Sequence, residues 1–249
     1  MSINKRVLFA KRPLGEPNDD CFRMDEVATP DLGSNEILIK TCWLSLDPYM
    51  RGRMNDMKSY TEPMQIGDVM TGESTGIVEE SNSDKWQVGD RVAAHMGWQT
   101  YIVAKGDDAR LMKVDLDNGT LSAHLGVVGM PGRTAYFGLT EVGKPKVGET
   151  LVVAAASGAV GSAVGQIAKI LGLRSIGIAG GSEKCRYVKE ELQFDDCLDY
   201  KSGNLAEKLG LACPDGVDIY FENVGGEVTK TVAPLLNQGA RVPICGYSS

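Results

Sequence analysis

The stretch "LVVAAASGAVGSAVGQIAKILG", Leu151 to Gly172, decides how the rest of the chain is read. A short apolar run leads into a turn of small residues, Ala156-Ser157-Gly158-Ala159-Val160-Gly161. An apolar-periodic segment follows and stops at Gly172. The turn matches A-x-G-x-x-G, a variant of the dinucleotide fingerprint, placed between a strand and a helix. Glycines at 158 and 161 would let backbone approach a pyrophosphate lying at the positive end of the helix. The bland alternative is a well-packed strand, turn and helix with no ligand.

Working outward, strand patterns fall at Thr150–Ala155, Ser175–Ala179, Asp196–Tyr200, Val217–Glu222 and Arg241–Cys245. Helical patterns lie near 159–172, 182–192, 203–210 and 226–236, and "MPGRTAYFGLTEVG" precedes them all. Alternation of this kind argues for an α/β fold with a parallel, doubly wound sheet. Up to about Ala123 the text is instead β-rich and broken by turns: "EILIKTCWLSL", "MTGESTGIVEES", "GDRVAAHMGWQTYIVA", "ARLMKV". Two domains are expected, 1–123 and 124–249. A six-stranded sheet wants a further helix and strand after "ARVPICGYSS", so the second domain is expected to be incomplete at its C-terminus.

Composition excludes several classes. The net charge is −7 without a basic run, which disfavours nucleic acid as a partner. The opening residues carry charges throughout and do not read as a signal peptide, and Gln166 and Lys169 interrupt the apolar helix, so no membrane span is expected. Six scattered cysteines without a CxxC pair read as reduced thiols, hence a cytoplasmic location. "GLTEVGKP" (138–145) resembles a P-loop only by chance: Pro145 stands where Ser or Thr would hold Mg²⁺.

The second strand of the series selects the cofactor. NAD binders place a carboxylate at its tip; here the tip is Gly180-Gly181, followed by Ser182, Glu183 and Lys184. A small tip and a lysine suit a 2′-phosphate, and the reading is NADP(H). The plain alternative is a helix start capped by Ser182 with ordinary surface charges.

Together these motifs resemble the medium-chain dehydrogenase/reductases, more narrowly the zinc-free branch of prostaglandin/leukotriene reductases and curcumin-reductase-like enzymes. The resemblance runs from end to end and is carried by "LSLDPYMRGRM", "GWQTY", "GMPGRTAYFGL", "AAASGAVGSAVGQIAK", "AGGSEKC" and "FENVGG". It implies a GroES-like β-rich domain joined to a Rossmann domain, with the active site between them. Gly158, Ala159, Val160 and Gly161 would then line the pyrophosphate, and Lys184 would meet the 2′-phosphate. Tyr200 and Asn223 would contact the adenosine half and the nicotinamide side, and the loop starting at Cys245-Gly246 would pass beside the nicotinamide. Tyr49, Ala94 and His95 would face the substrate. Members of the branch continue beyond this chain's last residue, with a segment that often supplies a homodimer contact.

The zinc relatives' ligand positions fall near Asp47 and at Gly72, and His95 and His124 are the chain's two histidines. No metal site is therefore expected. Without a Lewis acid, the expected chemistry is hydride transfer from NADPH to the C=C bond of a small hydrophobic α,β-unsaturated ketone or aldehyde. A hydrogen-bond donor need only steady the developing enolate oxygen. Tyr49, after an Asp47 N-cap and Pro48, is the candidate catalytic donor; its plain alternative is wall packing. Quinone reduction and NADPH binding without turnover remain as alternatives. Cys185 reads as an inert thiol or an activated one, and Met50, Met54, Met57 and Met64 as core or pocket lining.

Overall fold

The structure, a computed structural model, describes residues 2–57 and 61–246. It forms two compact units, Met1–Leu125 and Gly126–Ser249.

In the first unit, β1 (Ile3–Phe9) and β2 (Phe22–Ala28) pair antiparallel. The sequence reading missed this hairpin-like pair because β2 buries little of either face. After it come β3 (Glu36–Leu44), the one-turn α1 (Tyr49–Arg53), β4 (Ser74–Ser81), β5 (Arg91–Ala94), β6 (Tyr101–Lys105) and β7 (Met112–Lys113). Their sheet order is β6-β3-β4-β5-β7, with every pairing antiparallel. Ile37, Ile39, Val78 and Val92 are fully buried on one face with Trp86, whose indole N–H donates to the Gly106 carbonyl at 3.0 Å. This is the GroES-like β domain. Met54, Met64 and Met70 fill a second cluster with Phe9 and Cys21. Met50, Met54 and Met64 are thus core, whereas Met57 is 70% exposed.

The second unit opens with α2 (Met130–Phe137), continued through Gly138–Gly143 by wider, π-helical turns. Then alternate β8 (Thr150–Ala154), α3 (Ala159–Ile170), β9 (Arg174–Ala179), α4 (Ser182–Glu190), β10 (Asp196–Asp199), α5 (Leu205–Ala212), β11 (Val217–Phe221), α6 (Gly226–Val232) and β12 (Leu236–Arg241). The strands are all parallel, in the order β10-β9-β8-β11-β12. This is the Rossmann order as far as it runs, and it reverses between β8 and β11. β8 alternates between two cores. Leu151 and Val153 pack with α2, α3 and α4 residues, while Val152 and Ala154 pack with Leu209, Ala212 and Val232 from α5 and α6. Each leucine or valine among them, fully buried, contributes about 1.5–3 kcal/mol.

The last strand differs from expectation. β12 covers Leu236–Arg241 rather than Arg241–Cys245, and pairing resumes only at a Glu222–Ile244 bridge. Pro243 has no N–H for a ladder, and α6 stops before a short 3₁₀ turn at Ala233–Leu235 that contains Pro234. Two start positions also shift. Ser182 is the first residue of α4 behind an N-cap Gly181 (φ +103°), and Pro48, not Asp47, is the N-cap of α1; neither start has a side-chain cap bond.

Arg241 ties the unit together. Its guanidinium donates to the carbonyls of Gly143 (2.7 Å), Lys144 (3.1 Å) and Asp218 (3.1 Å) and to both Glu149 oxygens. Burial pushes the Glu149 carboxyl up, but the Arg241 fork and the Lys146 N–H outweigh it and hold it below the usual range. Arg241→Gln is expected to lower unfolding free energy by about 2–3 kcal/mol at neutral pH, read from the urea midpoint. A carboxyl with a depressed folded pKa loses its contribution as pH falls through that pKa, so the gap between the two proteins narrows in acid.

Candidate functional site

The candidate cofactor residues gather at the carboxyl ends of the parallel strands, around the reversal between β8 and β11. Open α/β sheets bind ligands at such a point. Leaving β8, Ala155 takes a left-handed conformation (φ +50°), and its carbonyl accepts the Gly158 N–H at 2.9 Å. Such a conformation costs a non-glycine residue about 1–2 kcal/mol, and strain of this kind clusters at ligand sites. The two glycines do different work. A Cβ on Gly161 would lie 2.3 Å from the Ala155 oxygen and 2.9 Å from the Ala156 Cα, so Gly161 lets α3 close onto the end of β8. A Cβ on Gly158 would meet only the Ala155 oxygen, at 3.2 Å, which leaves that face open to a ligand. No side chain caps α3, so the N–H groups of its first turn, at Ala159, Val160 and Gly161, are available to an anion.

At the tip of β9, the Tyr200 ring covers Gly180: a Cβ there would lie 2.9 Å from the ring. Lys201 Nζ sits 6.0 Å from the centre of the same ring, and Lys184 is exposed in the first turn of α4. Asp199, which sequence reasoning missed, accepts the N–H groups of Gly181 (2.8 Å) and Lys201 (2.9 Å). Those two bonds hold its carboxyl below the usual range. An aspartate followed two residues later by its backbone donor is an Asx-turn, and that pattern was visible in "DYK". Cys185 points the other way, into the core beside Cys197, as an inert thiol would.

At the end of β11, Asn223 Nδ2 donates to the carbonyl of Ala154, the last residue of β8, at 2.9 Å. The backbone of Gly246 passes close by: a Cβ there would lie 3.1 Å from the Asn223 oxygen. The Cys245 sulfur lies near Gly138. Residues 247–249 lie outside the described residues. Glu222 was also missed; it is 1% exposed and stands between Phe221 and Asn223.

The first unit groups the candidate substrate residues. The Tyr49 and His95 rings lie 6.5 Å apart, tilted by 35°, and the Tyr49 hydroxyl is buried. His95 Nε2 shares a hydrogen with Thr71 Oγ1. The imidazole reaches solvent, yet neighbouring protein desolvates it enough to hold its pKa below the ordinary histidine value, despite the opposing charge of Glu73. Ala94 and His95 line a cavity of about 230 Å³ with Met96, Leu111 and the Asp108–Arg110 ion pair. A second cavity, about 460 Å³, runs along α2 and α3 between Val127, Tyr136, Phe137 and Ile170. It contains none of the candidate residues, so cavity size alone does not find the dinucleotide turn. Among the described residues no group of three or more His, Cys, Asp or Glu side chains could hold a metal, and no helix is long and apolar enough to cross a membrane.

The fold and the strand-end cluster define an oxidoreductase with a β-rich N-terminal domain and a dinucleotide-binding second domain. Residues 5–114 match the family described as "N-terminal domain of oxidoreductase", and residues 159–249 the one described as "Zinc-binding dehydrogenase". The chain is 53% identical over 248 residues to the NADPH-dependent curcumin reductase of Escherichia coli, covering 99% of this chain and 71% of that protein. Identity to the NADP(+)-dependent 2-alkenal reductase of Nicotiana tabacum is 40% over 252 residues, covering 99% and 73%. The crystal structure of CurA from Vibrio vulnificus in complex with NADPH superposes with a TM-score of 0.93 at 50% identity, covering 98% of this chain and 72% of that one. The chain belongs to the medium-chain dehydrogenase/reductases, in their zinc-independent branch of curcumin, prostaglandin and 2-alkenal reductases.

The two glycines of the turn separate by substitution. Gly161→Ala is expected to destabilise by about 3 kcal/mol, because a backbone oxygen occupies the new methyl's place. Gly158→Ala should cost no more than about 1 kcal/mol. Urea midpoints of both variants check this.

Proposed function

We propose that this chain is an NADPH-dependent reductase of the C=C bond in small, hydrophobic α,β-unsaturated ketones and aldehydes. The observation that carries the cofactor half is the strand-end cluster: an open Gly158 face and an uncapped α3 beside a β9 tip whose own residues, Gly180 and Gly181, carry no carboxylate. The residues fit a dinucleotide diphosphate. Gly158 to Gly161 offer backbone N–H groups to the pyrophosphate, Lys184 a cation to the 2′-phosphate and Tyr200 a ring to the adenosine. Asn223, Cys245 and Gly246 would flank the nicotinamide. Asp199 lies on β10 and its Oδ1 accepts two backbone N–H groups. The β9 tip's own residues, Gly180 and Gly181, bring no carboxylate to a ribose, which supports NADPH over NADH. The kinship with curcumin and 2-alkenal reductases supports the substrate class.

When bound, the cofactor supplies the hydride; the chain's own task is to stabilise charge on the substrate. As hydride reaches the β-carbon, charge gathers on the carbonyl oxygen, and one positioned donor lowers that barrier. Tyr49 fills this role through its hydroxyl, with Ala94 and the largely neutral His95 as walls. The proton that completes the α-carbon comes from water or a weak acid. Four of the six cysteines are buried and none is in a disulfide, which suits a reducing compartment, and we take the enzyme to be cytoplasmic.

Fluorescence titration should show NADPH binding much tighter than NADH, with Lys184→Ala weakening NADPH by about tenfold and leaving NADH alone. Equal, lysine-insensitive affinities would overturn the NADPH assignment. With a linear enone, Tyr49→Phe is expected to lower kcat about 10–100-fold with little change in KM. Turnover of quinones but not enones would replace this substrate class, and binding without any turnover would make the chain a nucleotide-binding protein.

A further inference from the structure

Glu222 is a buried carboxylate that the proposed chemistry does not use. Burying a charge is costly unless every lone pair is engaged. Here Oε2 accepts from the Tyr220 hydroxyl at 2.8 Å and from Thr229 Oγ1, while Oε1 accepts from the N–H groups of Val224 (2.7 Å) and Gly225 (2.9 Å). None of the four partners is a cation. Its main chain is equally committed: the N–H donates to the Pro243 carbonyl and the carbonyl accepts from the Cys245 N–H, both at 2.9 Å. One residue therefore joins the end of β11, the first turn of α6 and the segment after β12.

Asn223 lies inside this knot. Its backbone is fixed between two residues bound to the same carboxylate system, and its side-chain amide reaches across to Ala154 at the end of β8. A Cβ on Gly246 would meet the Asn223 carbonyl oxygen first, at 3.1 Å. From these contacts we infer that Glu222 is a positioning residue for the nicotinamide half of the dinucleotide, acting through Asn223 and the Cys245–Gly246 backbone. The inference rests on the cofactor reading above. Burial raises the Glu222 carboxyl, but its donors outweigh that and hold it below the usual glutamate range, so the anion persists at neutral pH. Glutamine replaces it poorly: its oxygen can keep the two N–H donors, but its NH₂ then meets the Tyr220 and Thr229 hydroxyls, which must turn from donating to accepting. The charge that strengthens all four bonds is also lost.

The test compares two ligands on the full chain: NADPH, and adenosine 2′,5′-bisphosphate, which has the adenosine and 2′-phosphate but no nicotinamide. Glu222→Gln is expected to weaken NADPH about tenfold while leaving the bisphosphate within about twofold. The Glu222→Gln/Asn223→Ala double variant should be no worse than Asn223→Ala alone, since the two act as one unit. Parallel loss of both ligands, no loss of either, or additive effects would overturn the inference and leave Glu222 a purely structural group. Should Glu222→Gln fail to fold by circular dichroism, Thr229→Val removes one donor and keeps the carboxylate. It should then show the same split between ligands at about threefold, and its absence would overturn the inference equally. A wild-type chain that binds neither ligand overturns the cofactor reading itself, a result distinct from every variant pattern above.

Discussion

The contact on which the second unit depends is backbone against backbone: α3 against the turn that leaves β8, possible only because residue 161 has no side chain. A Cβ at that point would overlap the Ala155 carbonyl. Once α3 is seated, its Ala163, Val164 and Ala168 cover Leu151 and Val153, and Gly158 is left facing outward with the helix's first N–H groups beside it. The close packing of α3 and the open face at its start thus arise from one turn. The left-handed Ala155 is the local cost of that arrangement.

β8 is the central strand, with β9 and β11 on its two sides, and the two ends of this trio are secured by different means. At the amino-terminal ends, the Arg241 fork joins Gly143, Lys144, Glu149 and Asp218, and the Asp218 carboxylate accepts the Thr150 N–H at 2.9 Å. This is a pairing of opposite charges, which stabilises the fold. At the carboxyl ends, among the described residues, no such ion pair involves Glu222 or Asp199. Each of these carboxylates is instead held by N–H or hydroxyl donors. Neutral donors fix each anion without an ion-paired lysine or arginine, and Lys184, in the first turn of α4, is exposed.

In the first unit, constraint comes from side chains. Alternate residues of β3 and β4 bury one face, and a methionine cluster fills the space beneath α1. Thioethers adapt to irregular gaps, which suits a one-turn helix between loops. The cluster holds the end of α1 through Met54, its C-cap, and Met50 is buried within the helix, which together fix where Tyr49, its first residue, begins. Arg12 adds to this by donating to the Met54 and Met64 carbonyls.

Four strands of the doubly wound sheet were legible to within a residue, because each is a compact apolar run bounded by Gly, Asp or Asn. So were the glycine turn and the small tip of β9, since φ/ψ freedom and close approach leave direct marks on residue choice. The β1–β2 pair was not legible, because a strand that buries neither face has no hydrophobic period. The path of β12 was hidden as well: an apolar run around Pro243 looks like a strand, but without the proline N–H the ladder forms earlier, at Leu236–Arg241. The roles of Arg241 and Glu222 were also out of reach. The sequence by itself determined which segments fold, where backbone comes close and that the β9 tip carries no acid. Only the tertiary structure decided which carboxylate meets which donor and that Tyr49 lies beside His95, because those partners are brought together by the pairing of strands far apart in the chain.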